Sequence, residues 1–355
     1  RRPRPRPPGG RGRPRHEGDR AAAGLPAAPR IERGVLLPTK EQLSQLKKIL
    51  LKYSRIMIVC GPRTPGGEFP PAVEMLAVGG AVLLADGQSS VRYHPEQTNV
   101  IADYEFFLPI ARQWAHPEAV IHFGAMPTSQ SLLEYLSEIK PRCRIVVSED
   151  GSWTDFEHRM DVFVNADPVE VCKSLQRWWY RRATDEAWYD LFASADITTS
   201  LALNNGQVDI EWFDGIAVHD CLATLRVANV FVASSLAVRH LDQYGFAHQQ
   251  KYLRVYCNRG ASGIDGTISS ALGVVAAEPD KPTVLIIGDL AFYHDMNALL
   301  AAKRNGIKNL VIVLLNNNGG QIFRRLPINQ PEFEPEFTEL FITPHGMTFE
   351  HTAAQ

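Results

Sequence analysis

Short apolar runs alternate with amphipathic helical patterns along most of this chain, and that alternation admits few folds. Residues 55–60, 81–85, 119–123, 144–148 and 162–165 read as buried strands. Residues 39–53, 70–78 and 129–138 read as helices among them. In the first helix Thr39 stands at the cap position, and Leu43, Leu46, Ile49 and Leu50 share one face. Strands that are apolar throughout are covered on both faces, and strands separated by helices run parallel. A second series follows, with strands at 227–233, 254–257, 283–288 and 310–315 and helices at 235–244, 263–277 and 294–304. Residues 181–215 read as helical and then loop-like, and join the two series. The expected fold class is α/β, with two doubly wound, mainly parallel-sheet domains. The expected organisation is a head over 1–34, a central α/β domain over 35–180, a connector over 181–215 and a second α/β domain over 216–355. No internal repeat of fixed period is evident.

The length of 355 residues agrees with roughly two domains. The net charge of −2 hides an asymmetry: residues 1–20 carry eight Arg against Glu17 and Asp19, and the remainder is near −8. Residues 1–30 hold nine Arg, seven Pro and five Gly, which leaves almost nothing to bury, so this head is expected to be disordered. It reads as an unstructured leader or a gene-boundary artefact rather than a nucleic-acid tail, and the chain begins with Arg rather than Met. A nucleic-acid-binding fold needs its positive charge on a folded surface, so no nucleic-acid partner is expected. No apolar run reaches the roughly 18 residues of a membrane span, so no membrane insertion is expected. The five Cys are scattered, odd in number and free of any CxxC pattern, which suits a reducing cytoplasm.

The chemistry concentrates in residues 283–323. One buried strand ends in Gly288-Asp289 and the next in Asn316-Asn317-Asn318-Gly319-Gly320. Ligands of open parallel sheets sit beyond the carboxyl ends of the strands. If the two strands are neighbours, a carboxylate, an amide oxygen and the Gly319 carbonyl converge on one point. Three hard oxygen ligands suit Mg²⁺, which completes its octahedron with water and phosphate oxygens. The helix expected from His294 would aim its amides at the same phosphates. Taken alone, Asp289 reads as a helix cap and the Asn-Gly run as a tight turn. Together, on consecutive strand ends, they favour a metal-diphosphate site.

A Gly-Asp followed 27–28 residues later by an Asn pair resembles the thiamine-diphosphate motif. The wording GDLAFYHDMN with NNNGGQIF, NRGASGIDG over 258–266 and, more loosely, FVASSLAVRHLD over 231–242 is similar to one branch. That branch is the 2-succinyl-5-enolpyruvyl-6-hydroxy-3-cyclohexene-1-carboxylate synthases of menaquinone synthesis. TPHG over 343–346 sits where the family has a similar turn. The resemblance covers about residues 35–355 and is strongest over 227–346. It implies that Asp289, Asn317 and the Gly319 carbonyl bind Mg²⁺ or Mn²⁺, and that residues 216–355 form the diphosphate-binding domain. It implies that Ile264 presses beneath the cofactor, with Gly263, Gly288, Leu290, Ala291, Gln321, Ile322 and Phe323 around it. From the residues alone, Ile264, Ile322 and Phe323 equally fit ordinary core packing. Ser235, Arg239 and Arg259 would bind substrate carboxylates, a role that suits the bidentate guanidinium. The implied reaction decarboxylates 2-oxoglutarate and adds the succinyl unit to isochorismate by conjugate addition, in a homo-oligomer (dimer or tetramer).

The sequence departs from that pattern in places. The family has an N-terminal pyrimidine-binding domain carrying a catalytic Glu, which residues 1–34 cannot encode. No catalytic residue is therefore expected in this chain, which reads as incomplete, with its last domain cut short at Gln355 and activity dependent on the rest. GDL replaces the commoner GDG, Ala291 replaces a Ser, Ala233-Ser234 replace Gly-Asn, and Gln130 stands where a Lys is expected. Two alternatives remain: another thiamine-diphosphate carboligase of the acetolactate synthase type, and a non-catalytic truncated chain that binds cofactor or assembles with a partner.

Overall fold

Two sheets, each wholly parallel, organise the chain. The computed structural model describes residues 32, 34–153, 155, 157–204, 212–245 and 251–354. The expected disordered head therefore lies almost wholly outside the described residues. The first sheet holds β1 (Ile56–Cys60), β2 (Val82–Ala85), β3 (Val100–Ile101), β4 (Ala119–Phe123), β5 (Cys143–Ser148) and β6 (Val162–Asn165), in the order β3-β2-β1-β4-β5-β6. The second holds β7 (Val227–Val232), β8 (Tyr252–Tyr256), β9 (Thr283–Gly288) and β10 (Leu310–Leu315), in the order β10-β9-β7-β8. The α/β class with parallel sheets is as expected.

The expected strands form within a residue or two of their expected bounds. β1, β2 and β4 are buried along their whole length, as strands covered on both faces must be. One face of the first sheet packs against helices Lys40–Leu50, Phe69–Val78 and Pro168–Trp179, which contribute Leu46, Val73 and Trp179 to one core. Thr39 caps the first of these in a reciprocal capping box with Gln42. The other face packs Tyr104, Phe107 and Leu132 with Trp188 and Phe192. Those last two lie on the 19-residue helix Glu186–Asn204, within the stretch read as a connector.

Several helices differ from expectation. The helix expected over 263–277 begins only at Thr267, because Gly266 takes the left-handed conformation (φ 64°). The helix expected from His294 begins five residues earlier, directly at Asp289, and breaks before a second helix, Ala298–Arg304. Helices Tyr104–Ala111, Pro168–Trp179 and Asp214–Thr224 are additional to the sequence reading.

The strand order of the first sheet reverses between β1 and β4, where such sheets bind ligands. Here that crevice is filled by its own loops. The Gly61 amide donates to the Phe123 carbonyl at 2.9 Å, and the Ala125 amide to the Pro62 carbonyl at 2.7 Å. A Cβ on Gly61 would lie 1.8 Å from the Ala125 carbonyl oxygen, so only glycine permits this approach.

A buried ion pair joins the two α/β units. Arg92, from the loop after β2, meets Asp242 on helix Leu236–Tyr244 at 2.9 Å, with side chains 0% and 3% exposed. Asp242 also accepts from the Gly87 amide (2.8 Å) and the Tyr104 hydroxyl (3.0 Å). The same helix follows Ser235 and carries Arg239, so the pair fixes the element that presents them. All five cysteines are unpaired. Among the described residues no helix is long and apolar enough to cross a membrane.

Candidate functional site

Strands β9 and β10 are neighbours, and Gly288 pairs with Leu315. The residues that follow, Asp289 and Asn316, therefore leave the sheet side by side at its carboxyl end. There Asp289 and Asn317 border a cavity of about 420 Å³. Of the residues singled out from the sequence, Ser235, Arg239, Arg259, Ile264, Gly288, Asp289, Leu290, Ala291, Asn317, Gly319, Gln321, Ile322 and Phe323 all line it. Gly263 does not; a Cβ added there would lie 2.8 Å from Asp265 Oδ1.

Asp289 is 2% exposed. Its Oδ1 accepts from the Leu290 amide (2.7 Å), and its Oδ2 accepts from the Gly319 amide (2.9 Å) and faces His345 Nε2 at 3.1 Å. No Lys or Arg pairs with it among the described residues. Its charge is met by backbone dipoles and one imidazole, which leaves room for a cation. Asn317 is held from the far side, where its Nδ2 donates to Asp214 Oδ2 at 2.6 Å. That bond commits the amide nitrogen and leaves the amide oxygen without a hydrogen bond among the described residues.

Gly319 contributes its amide as well as its carbonyl. Gly319 turns its amide toward Asp289, and its carbonyl accepts from the Gln321 amide at 2.9 Å. The backbone explains this. Asn318 (φ 63°) and Gly319 (φ 120°) both lie left of the usual region, and the turn is pinned where the Gly320 amide meets the Ile342 carbonyl at 2.7 Å. A Cβ on Gly319 would sit 2.1 Å from that same carbonyl oxygen. Behind the turn, Phe323 packs edge-on against Phe341 at 5.5 Å.

A metal here would draw on Asp289, on the Asn317 amide oxygen and on a Gly319 carbonyl shared with Gln321. Among the described residues no group of three or more His, Cys, Asp or Glu can hold a metal ion, so the donors must be of this mixed oxygen kind. A buried carboxylate with no Lys or Arg partner among the described residues, beside an amide oxygen fixed in place, fits a hard cation.

The opposite wall is basic. Ser235 holds φ 72°, a strained conformation for a residue with a side chain, at the turn from β7 into helix Leu236–Tyr244. Strain of this kind is kept where the surroundings over-determine it, as they do at ligand sites. Arg239 Nη1 donates to the Ser235 carbonyl at 2.8 Å. Burial first, then the like charges of Arg259 and Arg325, hold the Arg239 guanidinium below its ordinary value.

Two residues at this site were not singled out from the sequence. Asp214 lies 103 residues from Asn317, and His345 lies 56 from Asp289. Neither separation leaves a local signal, although His345 falls within the TPHG turn.

Comparison with known proteins agrees with this geometry. Residues 235–352 match the family model of the thiamine pyrophosphate enzymes, C-terminal TPP binding domain. The chain is 45% identical over 314 residues to a 2-succinyl-5-enolpyruvyl-6-hydroxy-3-cyclohexene-1-carboxylate synthase of Roseiflexus sp. (strain RS-1), covering 88% of this chain and 52% of that protein. It is 38% identical over 328 residues to the synthase of the same name from Geobacillus kaustophilus (strain HTA426), covering 91% and 56%. It is 37% identical over 327 residues to that of Halobacterium salinarum (strain ATCC 700922 / JCM 11081 / NRC-1), covering 91% and 54%. The chain thus spans about half the length of the relatives it matches. The strand-end cavity, the family match over residues 235–352 and these identities agree: that stretch is similar to the thiamine pyrophosphate-binding domain, and the relatives similar to the chain are synthases of this name.

Proposed function

We propose that the cavity at the carboxyl ends of β9 and β10 binds the diphosphate of thiamine diphosphate through Mg²⁺ or Mn²⁺. In this reading the chain supplies the cofactor and central domains of a synthase that joins 2-oxoglutarate to isochorismate. The observation that carries the proposal is the convergence of Asp289, Asn317 and Gly319 at adjacent strand ends. The activity named for the relatives favours this reaction over that of other carboligases.

Thiamine diphosphate, when bound, supplies the electron sink that lets a 2-oxo acid lose CO₂. The chain's own residues do the rest. Asp289 and Asn317 hold the cation that neutralises the diphosphate, and Asp214 keeps the Asn317 oxygen turned toward it. Ile264, Ile322 and Phe323 present an apolar surface that excludes water. Ser235, Arg239 and Arg259 hold the substrate carboxylates and fix the reacting carbon relative to the cofactor, which is the larger part of what a protein contributes to such a step. The family organisation implied by the resemblance places these residues in a homo-oligomer. A cytoplasmic setting agrees with five unpaired thiols.

Calorimetric titration of thiamine diphosphate with and without Mg²⁺ tests the reading. Wild-type protein is expected to show Mg²⁺-dependent binding that Asp289→Ala abolishes. Unchanged affinity in the variant would remove the metal assignment.

A further inference from the structure

The strand-end cavity continues into a second one of about 470 Å³, and the two share Arg239 and Ile322. Glu105, Ser129 and Gln130 from the first α/β unit face Gln243 and Arg325 from the second across it. The carboxylates along this extension all have partners. Glu134 meets Arg112 at 2.6 Å and Asp242 meets Arg92 at 2.9 Å. Glu105 accepts from the Ser129 hydroxyl and from Gln243 Nε2, and burial raises its carboxyl above the ordinary range. Gln130, on the facing wall, brings no charge and donates to Glu134 at 2.9 Å.

The cations are in the opposite condition. Arg239 donates to a backbone carbonyl and to no carboxylate. The side chains of Arg259 and Arg325 make no hydrogen bond or ion pair among the described residues. Three guanidiniums thus gather along one continuous space; Arg259 and Arg325 disfavour the charge on Arg239, Glu105 offsets this only in part, and no carboxylate among the described residues pairs directly with any of the three. Such a cluster is unfavourable in itself and is relieved by a ligand that brings several negative charges. Arg239 and Arg259 serve one end of that ligand. Arg325, at the end of the 3-10 turn Gln321–Arg325, stands at the other, inside the extension.

We propose that Arg325 binds the distal carboxylate of the 2-oxo acid, and so selects dicarboxylates over monocarboxylates. This rests on the reading of the cavity as a site for acidic substrates. It adds a specificity-determining residue in the extension, beyond the Ser235, Arg239 and Arg259 wall.

The test uses 2-oxoglutarate and 2-oxopentanoate, which differ only in the distal carboxylate against a methyl group. Each is titrated calorimetrically into the protein without thiamine diphosphate, for wild type, R325K and R325Q. Wild type is expected to bind 2-oxoglutarate about tenfold or more tightly than 2-oxopentanoate, as a charge-assisted contact warrants. R325Q should bring the two ligands within about twofold by weakening 2-oxoglutarate alone, and R325K should keep part of the preference. Arg325 is exposed, so the variants should melt with the wild type. The proposal is overturned if R325Q keeps the preference, if it weakens both ligands equally, or if wild type shows no preference or no saturable binding of either. Thiamine diphosphate binding is measured separately. Loss of cofactor binding with the dicarboxylate preference intact would refute the proposed function and leave this assignment standing, and the converse result would do the reverse.

Discussion

Replacing Arg92 with Met should be among the most damaging single changes in this chain, although Arg92 lies outside the candidate site. Its guanidinium is fully enclosed and donates to Asp242 Oδ1 (2.9 Å), the Asp242 carbonyl (2.7 Å) and the Ala102 carbonyl (2.9 Å). Met fills much of the same volume but leaves the Asp242 carboxylate buried, with only the Gly87 amide and Tyr104 hydroxyl to hold it. Removing one partner of a buried pair costs about 3–5 kcal/mol, because the remaining charge is stranded rather than because the pair itself was strong. Urea unfolding at pH 8, followed by tryptophan fluorescence, should show that loss. The pH dependence separates a stranded charge from a simple packing defect. Burial pushes the Asp242 carboxyl up, and Arg92, Gly87 and Tyr104 oppose that push. Without Arg92 the carboxyl rises further. An acid held above its unfolded value takes up a proton on folding, so the deficit relative to wild type should shrink as pH falls from 8 to 5. Adding Asp242→Asn should recover part of the loss at pH 8, with a coupling above about 1 kcal/mol in the double-mutant cycle. A cost below about 1 kcal/mol, or a deficit constant across this pH range, would refute the reasoning.

Three other predictions concern the site and its surroundings. Asp214→Ala should weaken Mg²⁺-dependent thiamine diphosphate binding by about tenfold, since one charged hydrogen bond that orients Asn317 is lost; calorimetric affinity equal to wild type would show that Asn317 needs no such support. Gly319→Ala should lower stability by roughly 1–3 kcal/mol and abolish cofactor binding, because its Cβ would meet the Ile342 carbonyl oxygen at 2.1 Å. The control Gly66→Ala, which has open space around the added carbon, should leave the melting temperature unchanged. His240, between Phe213 and Tyr244, has its imidazole pulled from 6.5 down to about 4 by burial first and Arg325 second. The unfolded chain therefore binds the proton first, and stability falls with pH from about 6.5 toward 4, by about 3 kcal/mol in all. His240→Phe should remove that part of the slope between pH 7.5 and 4.5, and an identical slope in the variant would contradict it.

The strands were legible because continuous apolar runs such as Ile56–Cys60 and Leu310–Leu315 have few other destinations in a chain of this texture. Helix Tyr104–Ala111 was not legible, since Pro109 inside it argues against a helix and only tertiary packing of Tyr104, Phe107 and Leu108 overrides that. Helix Pro168–Trp179 is a different case. Asp167 caps it and Pro168 stands in its first turn, so its start signal was present and went unused. At the site, the adjacency of β9 and β10 turned the Asp289 and Asn317 pattern into one place. What spacing does not convey is orientation. The sequence NNNGG permits two left-handed residues in a row, yet only the anchor at Ile342 decides that Gly319 points its amide, and not its carbonyl, at Asp289. Asp214 and His345 arrive from far along the chain, where local periodicity has nothing to report.

The two walls of the strand-end cavity carry opposite charges, and this sorts its ligands. A diphosphate brought against Asp289 alone would be repelled, because the buried carboxylate is met only by backbone amides and the His345 imidazole, with no Lys or Arg beside it among the described residues. In the proposed function the strand ends therefore take the diphosphate with a cation between, and the metal would be a condition of cofactor binding. The facing wall, with Arg325 beyond it in the extension, needs no such mediator: Arg239, Arg259 and Arg325 make no ion pair among the described residues, and a carboxylate can approach them directly. Under the proposed function an acidic substrate would therefore be driven away from Asp289 and toward the guanidiniums. That would direct its carboxylates to one wall and leave the rest of the molecule over Ile264, Ile322 and Phe323. Reversing the charge on either side should reverse this order, so substitutions at Asp289 and Arg325 are expected to act on different ligands, the cofactor for one and the dicarboxylate for the other.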